Sequence, residues 1–98
     1  MKLIRDLIPL TCEPVDGARF RQATSEELPL LLRGGLPEEV GEVLQALTPE
    51  LVVAELADVM QVVQEIARTY GVSPSDLDAV RHAKRIRRGG FRAGWILE

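Results

Sequence analysis

The sequence contains few of the residues that support disulfide, zinc or redox chemistry. Cys12 is the single cysteine and His82 the single histidine among 98 residues. One cysteine cannot form a disulfide within the chain, and without a His/Cys cluster we do not expect a zinc site. Aromatic residues make up only 4% of the chain, so little aromatic surface is available for a core or for stacking on a base.

Long apolar runs and an excess of basic charge are also missing. No segment approaches the ~20 apolar residues that cross a bilayer, and the first residues lack the apolar stretch of a signal peptide. The formal net charge is -3, whereas nucleic-acid-binding proteins are usually basic. We therefore expect a cytoplasmic protein that binds neither membranes nor nucleic acid.

The length predicts a single domain over residues 1–98. No run alternates polar and apolar residues over several positions, so the expected fold class is all-α. Residues 1–23 lack a helical period and are interpreted as an N-terminal arm with a short helix near residues 3–7. Residues 91–98 are interpreted as an extended tail packed on the body, with Phe91 and Trp95 in the core or in a subunit interface, although either ring could stack on a base.

Start and stop signals predict four helices after the arm. Ser or Thr caps, prolines that suit a first turn and glycines that follow a last turn mark their ends. The predicted helices cover residues 24–33, 37–47, 49–70 and 74–88. Gly34, Gly35 and Pro37 are expected to interrupt or kink the chain between the first two.

Two pairs of carboxylates occur at the same spacing on neighbouring helices. Glu39 and Glu42 are three residues apart, as are Glu55 and Asp58, so each pair shares a helix face. An antiparallel hairpin that turns near Thr48 brings the two pairs level. Four such charges repel one another unless a cation neutralises them, and carboxylate oxygens suit magnesium. The pattern predicts a magnesium site, although Glu55 and Asp58 could instead pair with arginines of the last helix.

Three separated motifs resemble those of the all-α nucleotide pyrophosphohydrolases, the MazG-like enzymes. Residues 38–42 followed by residues 55–58 are similar to the EExxE…ExxD signature of that family. Residues 2–9, KLIRDLIP, are similar to the KLVRDKIP start of a small bacterial and phage subgroup that is described as phosphoribosyl-ATP pyrophosphohydrolase-like. Residues 84–91, which end in RGGF, are similar to the ending of the same subgroup.

The resemblance implies a MazG-like bundle that a homodimer or homotetramer completes. It also implies a magnesium-dependent hydrolase, with manganese able to replace magnesium, that acts on a nucleotide substrate. A nucleoside triphosphate or similar molecule would be cleaved between the α and β phosphates, giving a monophosphate and pyrophosphate, in a house-cleaning or a biosynthetic role. The metal ligands that the resemblance implies are Glu39, Glu42, Glu55 and Asp58.

Other charged residues are candidates for catalysis and for phosphate binding at this site. Glu38 matches the first Glu of the signature and is the catalytic candidate, which would orient or deprotonate the attacking water. Lys84 and Arg88 are four residues apart on the last helix, match the family ending, and are the first candidates to bind the triphosphate. Lys2 and Arg5 of the arm are further candidates.

Two alternative hypotheses assign the chain to other functional classes. A non-catalytic helical module for nucleotide binding or assembly would keep the carboxylates as a structural metal site. A DNA-binding protein would use the basic helix over residues 74–88, which the acidic net charge disfavours. Magnesium-dependent turnover and salt-dependent binding to duplex DNA distinguish the three.

Overall fold

The computed structural model describes residues 1–98 and contains four α-helices and no strand. They are α1 (Ile8–Thr11), α2 (Glu27–Gln45), α3 (Pro49–Thr69) and α4 (Pro74–Arg88). α2 and α3 form a helical hairpin with the most extensive contact, whereas α4 touches α3 more lightly and α1 packs on no other helix. The prediction of an all-α fold is confirmed. None of these helices combines the length and the apolar character needed to cross a membrane.

Side-chain caps begin α3 and α4 where the sequence predicted. The Leu51 N–H donates to Thr48 Oγ1 at 3.2 Å, and the Asp76 N–H donates to Ser73 Oγ at 3.1 Å. Each cap satisfies a backbone donor that has no partner inside its helix. A proline follows each cap in the first turn, where its missing N–H costs nothing. Local signals are therefore sufficient to place both helices.

A reciprocal pair of hydrogen bonds lies at the approach to α2. The Glu27 N–H donates to Thr24 Oγ1 at 3.1 Å, and the Thr24 N–H donates to Glu27 Oε1 at 2.9 Å. This is a capping box, in which two backbone donors find partners in each other's side chains. Arg21 holds the same carboxylate with both of its terminal nitrogens, at 2.8 and 2.7 Å. Thr24 therefore caps the turn that leads into α2, whereas the helix itself begins at Glu27, three residues after the predicted start at residue 24.

α2 continues through Gly34, Gly35 and Pro37, so the predicted interruption and the predicted new helix at Pro37 are wrong. A proline inside a helix removes one backbone hydrogen bond and crowds the preceding turn. Here a stripe of half-buried and buried side chains keeps its helical spacing on both sides of the proline: Leu28, Leu32, Leu36, Glu39 and Val43. Packing of this stripe on α3 outweighs the tendency of the two glycines and the proline to interrupt the helix.

The arm helix and the tail also differ from expectation. α1 begins at Ile8 rather than near residue 3 because Pro9 fits only the first turn of a helix. Residues 91–98 are all exposed, and Phe91 and Trp95 are 99% and 96% exposed. The tail therefore does not pack on the body, and neither ring lies in the core of the chain.

The chain buries very little by itself. Leu32 is the only buried residue. α3 has one half-buried side that packs on α2, and a second apolar side that stays exposed: Val53, Leu56, Met60 and Val63. Within one chain α3 therefore has no buried residue, because α2 covers a single side of it.

Candidate metal centre

Four carboxylates from α2 and α3 meet on one side of the hairpin. Glu39, Glu42, Glu55 and Asp58 each offer one oxygen, and these four atoms lie within 4.8 Å of one another. The spacing of three residues places each pair on one helix face. The short connection over residues 46–48 sets the register between the two helices. The cluster is where the sequence predicted it, and it could hold a metal ion.

Two oxygens of the cluster are buried without a hydrogen-bond partner, Glu39 Oε2 and Glu55 Oε2. A buried acceptor without a donor costs free energy, and more so when it carries charge. A hard divalent cation with oxygen ligands would supply the missing partner. The donor set and the two unpartnered oxygens therefore both fit a metal of this kind.

The crowding of carboxylates changes the titration of two of them. Loss of solvation, followed by the charges of Glu42 and Asp58, raises the pKa of Glu39. A hydrogen bond shared with the Glu42 carboxyl, followed by loss of solvation, raises the pKa of Glu55. Without a metal Glu39 and Glu55 therefore retain their protons more strongly than separate carboxyls do, and a bound cation would compete with those protons.

The N-terminal arm, residues 1–23, brings two cations to these acidic residues. Arg5 donates from Nη2 to Asp58 Oδ1 in an ion pair, and Lys2 Nζ lies 3.3 Å from Glu38 Oε1. The alternative in which arginines of α4 neutralise Asp58 is not what the structure shows. No sequence signal indicates the pair of Arg5 with Asp58 because its members are 53 residues apart.

A cavity of about 470 Å³, here called the arm cavity, adjoins the cluster. Residues 1–3 line it together with Gly34, Gly35, Glu38 and Glu39 of α2 and Val62 of α3. Ligand cavities usually have volumes of ~300–1,000 Å³. Because Glu39 belongs to both the cavity and the cluster, a ligand in this cavity would lie beside a bound metal.

The predicted cationic residues of α4 take no part in these contacts. Neither Lys84 nor Arg88 forms an ion pair within the chain. Arg88 lines a second cavity of about 640 Å³ with Arg85, Arg92 and Trp95, and no carboxylate contributes to its walls. The role of Lys84 and Arg88 in substrate binding stays a prediction.

No protein-family model matches the chain, and no curated protein or solved structure matches it either. These comparisons therefore supply no relative from which a function could be transferred. The function has to be argued from the carboxylate cluster, its unpartnered oxygens and the adjoining cavity, together with the motifs of the sequence.

Proposed function

We propose that this chain is a magnesium-dependent nucleotide pyrophosphohydrolase of the MazG-like kind. The observation that carries the proposal is the convergence of four carboxylate oxygens within 4.8 Å, two of these residues each having a buried, unpartnered oxygen. The motifs that resemble the family support the same reaction. A nucleoside triphosphate or similar substrate would be cleaved between its α and β phosphates, giving a monophosphate and pyrophosphate.

Each part of the site has a role in this reaction. Magnesium, or manganese in its place, would be held by Glu39, Glu42, Glu55 and Asp58, and it would offset phosphate charge and lower the pKa of water. Glu38 is exposed, lines the arm cavity and lies outside the cluster. Its carboxylate, which pairs with Lys2 Nζ at 3.3 Å, would orient the attacking water and accept its proton. The apolar wall of the arm cavity suits the nucleoside.

The test is pyrophosphate release from a panel of canonical and modified nucleoside triphosphates, with magnesium and with EDTA. We expect magnesium-dependent release, with the monophosphate as the second product. Glu55→Gln and Asp58→Asn keep the shape of each side chain but remove its charge, and each should lower turnover by more than about 100-fold, since even indirect support of a metal is worth ~10–100-fold. Glu50→Gln is the matched control because Glu50 lies on α3 outside the cluster.

Two results would contradict the proposal in different ways. Unchanged turnover in Glu55→Gln or Asp58→Asn would show that the ligand assignment is wrong. Magnesium binding without release from any triphosphate would favour the non-catalytic module, in which the same carboxylates hold a structural metal. Calorimetric magnesium titrations of the same variants separate these two results because they measure binding without turnover.

A further inference from the structure

The contact between the arm and the cluster uses one of the proposed metal ligands. Arg5 Nη2 pairs with Asp58 Oδ1, and Asp58 is one of the four residues whose oxygens converge. A guanidinium and a divalent cation would therefore compete for the same carboxylate. Lys2 differs in this respect, because its partner Glu38 lies outside the cluster.

The Arg5–Asp58 pair is suited to exchange. The Arg5 side chain is 63% exposed, and exposed ion pairs contribute little because water screens both charges. Arg5 lies outside any helix, and α1, the one short helix of the arm, packs on no other helix. A divalent cation with several carboxylate ligands should therefore displace the guanidinium from Asp58.

A displaced Arg5 would remain next to the site. Residues 1–3 of the same arm line the arm cavity together with Glu38 and Glu39, so the chain just before Arg5 stays at its wall. A guanidinium binds phosphate oxygens with two parallel hydrogen bonds, which favours phosphate as its new partner. A triphosphate beside the bound metal presents such oxygens.

We propose that Arg5 exchanges partners: it neutralises Asp58 in the metal-free protein and binds a substrate phosphate once a metal holds Asp58. The second half of this inference rests on the proposed function, whereas the first half requires only that the cluster binds a cation. Arg5 would thus weaken metal binding by the free protein and strengthen phosphate binding by the metal-bound protein. No residue with a purely structural role would have these two opposite effects.

The experiment measures both affinities by calorimetry in the intact chain. Magnesium is titrated into metal-free wild type and Arg5→Ala, and inorganic pyrophosphate is then titrated into each protein at saturating magnesium. We expect Arg5→Ala to bind magnesium about two- to fivefold more tightly, the range that loss of one exposed ion pair allows. The same variant should bind pyrophosphate about tenfold more weakly, as expected for loss of one charged hydrogen-bonding group.

Arg19→Ala is the matched control, because Arg19 is another exposed arginine of the arm and pairs with no carboxylate. It removes the same charge, and both affinities should stay at the wild-type values. Equal or weaker magnesium binding by Arg5→Ala would overturn the inference, as would unchanged pyrophosphate binding. If the wild type turns over substrate while Arg5→Ala gives one of these contrary results, only the exchange by Arg5 is wrong and the proposed function stands. If the wild type does not bind magnesium at all, both the exchange and the proposed function are wrong.

Discussion

Glu39 and Glu55 lose solvation on folding and lie among other carboxylates, so their charges destabilise the metal-free protein. Both pKa values are raised above 4.5 in the folded chain. The folded protein therefore retains protons that the unfolded chain has released, and its stability falls as the pH rises from about 4.5 through the raised pKa values. Urea unfolding in EDTA across this range measures the effect.

The same measurement on variants identifies the residues responsible. Glu39→Gln, which cannot ionise, should flatten the fall in stability and raise the melting temperature of the metal-free protein at neutral pH. Glu50→Gln should leave the slope unchanged because Glu50 is outside the cluster. In saturating magnesium the stability of wild type should instead rise with pH, since a cation binds the ionised carboxylates more tightly than the protonated ones. An equal slope in Glu39→Gln would contradict this account.

Arg21 and Glu27 give the opposite pH dependence at the start of α2. The hydrogen bonds from Arg21 are the main cause that lowers the pKa of Glu27 from 4.5 to about 2. The stabilisation from this pair is complete above 4.5 and is lost as the pH falls toward 2, because the carboxylate is then protonated. Arg21→Ala should melt below wild type at neutral pH, and the difference should shrink to a small remainder at pH 2, where half of the Glu27 carboxylates are protonated. A difference at pH 2 as large as that at neutral pH would mean that packing, not charge, is responsible.

Glycines inside α2 give a prediction at the scale of the helix. A Cβ added at Gly41 would meet no atom within 4 Å, and glycine costs a helix ~0.5–1 kcal/mol relative to alanine. Gly41→Ala should therefore raise the free energy of unfolding by about that amount, measured by urea unfolding in EDTA. A decrease would indicate that the cluster needs the flexibility of this position.

Gly35 has equally open surroundings but lines the arm cavity. Gly35→Ala should give a similar gain in stability and, because the new methyl group takes up cavity volume, a raised KM for the nucleotide. Gly41→Ala is its control, since Gly41 does not line that cavity. An unchanged KM in Gly35→Ala would argue against this cavity as the nucleoside site.

The elements that the sequence predicts well are those fixed by local contacts. Thr48 and Ser73 cap helices within three residues of chain, and the two carboxylate pairs follow from helical spacing and one short turn. The continuity of α2 through Pro37 was not predictable in this way because it depends on packing against α3. The contact of Arg5 with Asp58 joins the arm to a distant helix, and no local rule specifies it.

At the scale of the whole molecule, the single chain lacks a core. Only Leu32 is buried, and small domains are marginally stable even with ordinary burial. The exposed side of α3 carries Val53, Leu56, Met60 and Val63, which recur at helical spacing on one stripe. We propose that a second copy of the chain covers this stripe, so that folding and association are coupled.

Coupling of this kind predicts that thermal stability depends on protein concentration. Wild type should sediment as a dimer or larger species, and its melting temperature should rise with concentration because association stabilises only the folded chain. Met60→Glu places a charge in the centre of the exposed stripe and should shift the protein toward a less stable monomer. Gln61→Glu adds the same charge to the same helix but outside the stripe, and it should sediment and melt like wild type. A wild-type chain that sediments as a monomer, with a melting temperature independent of concentration, would contradict the proposal. The apolar side of α3 would then be exposed to water in the stable protein, with no second copy covering it.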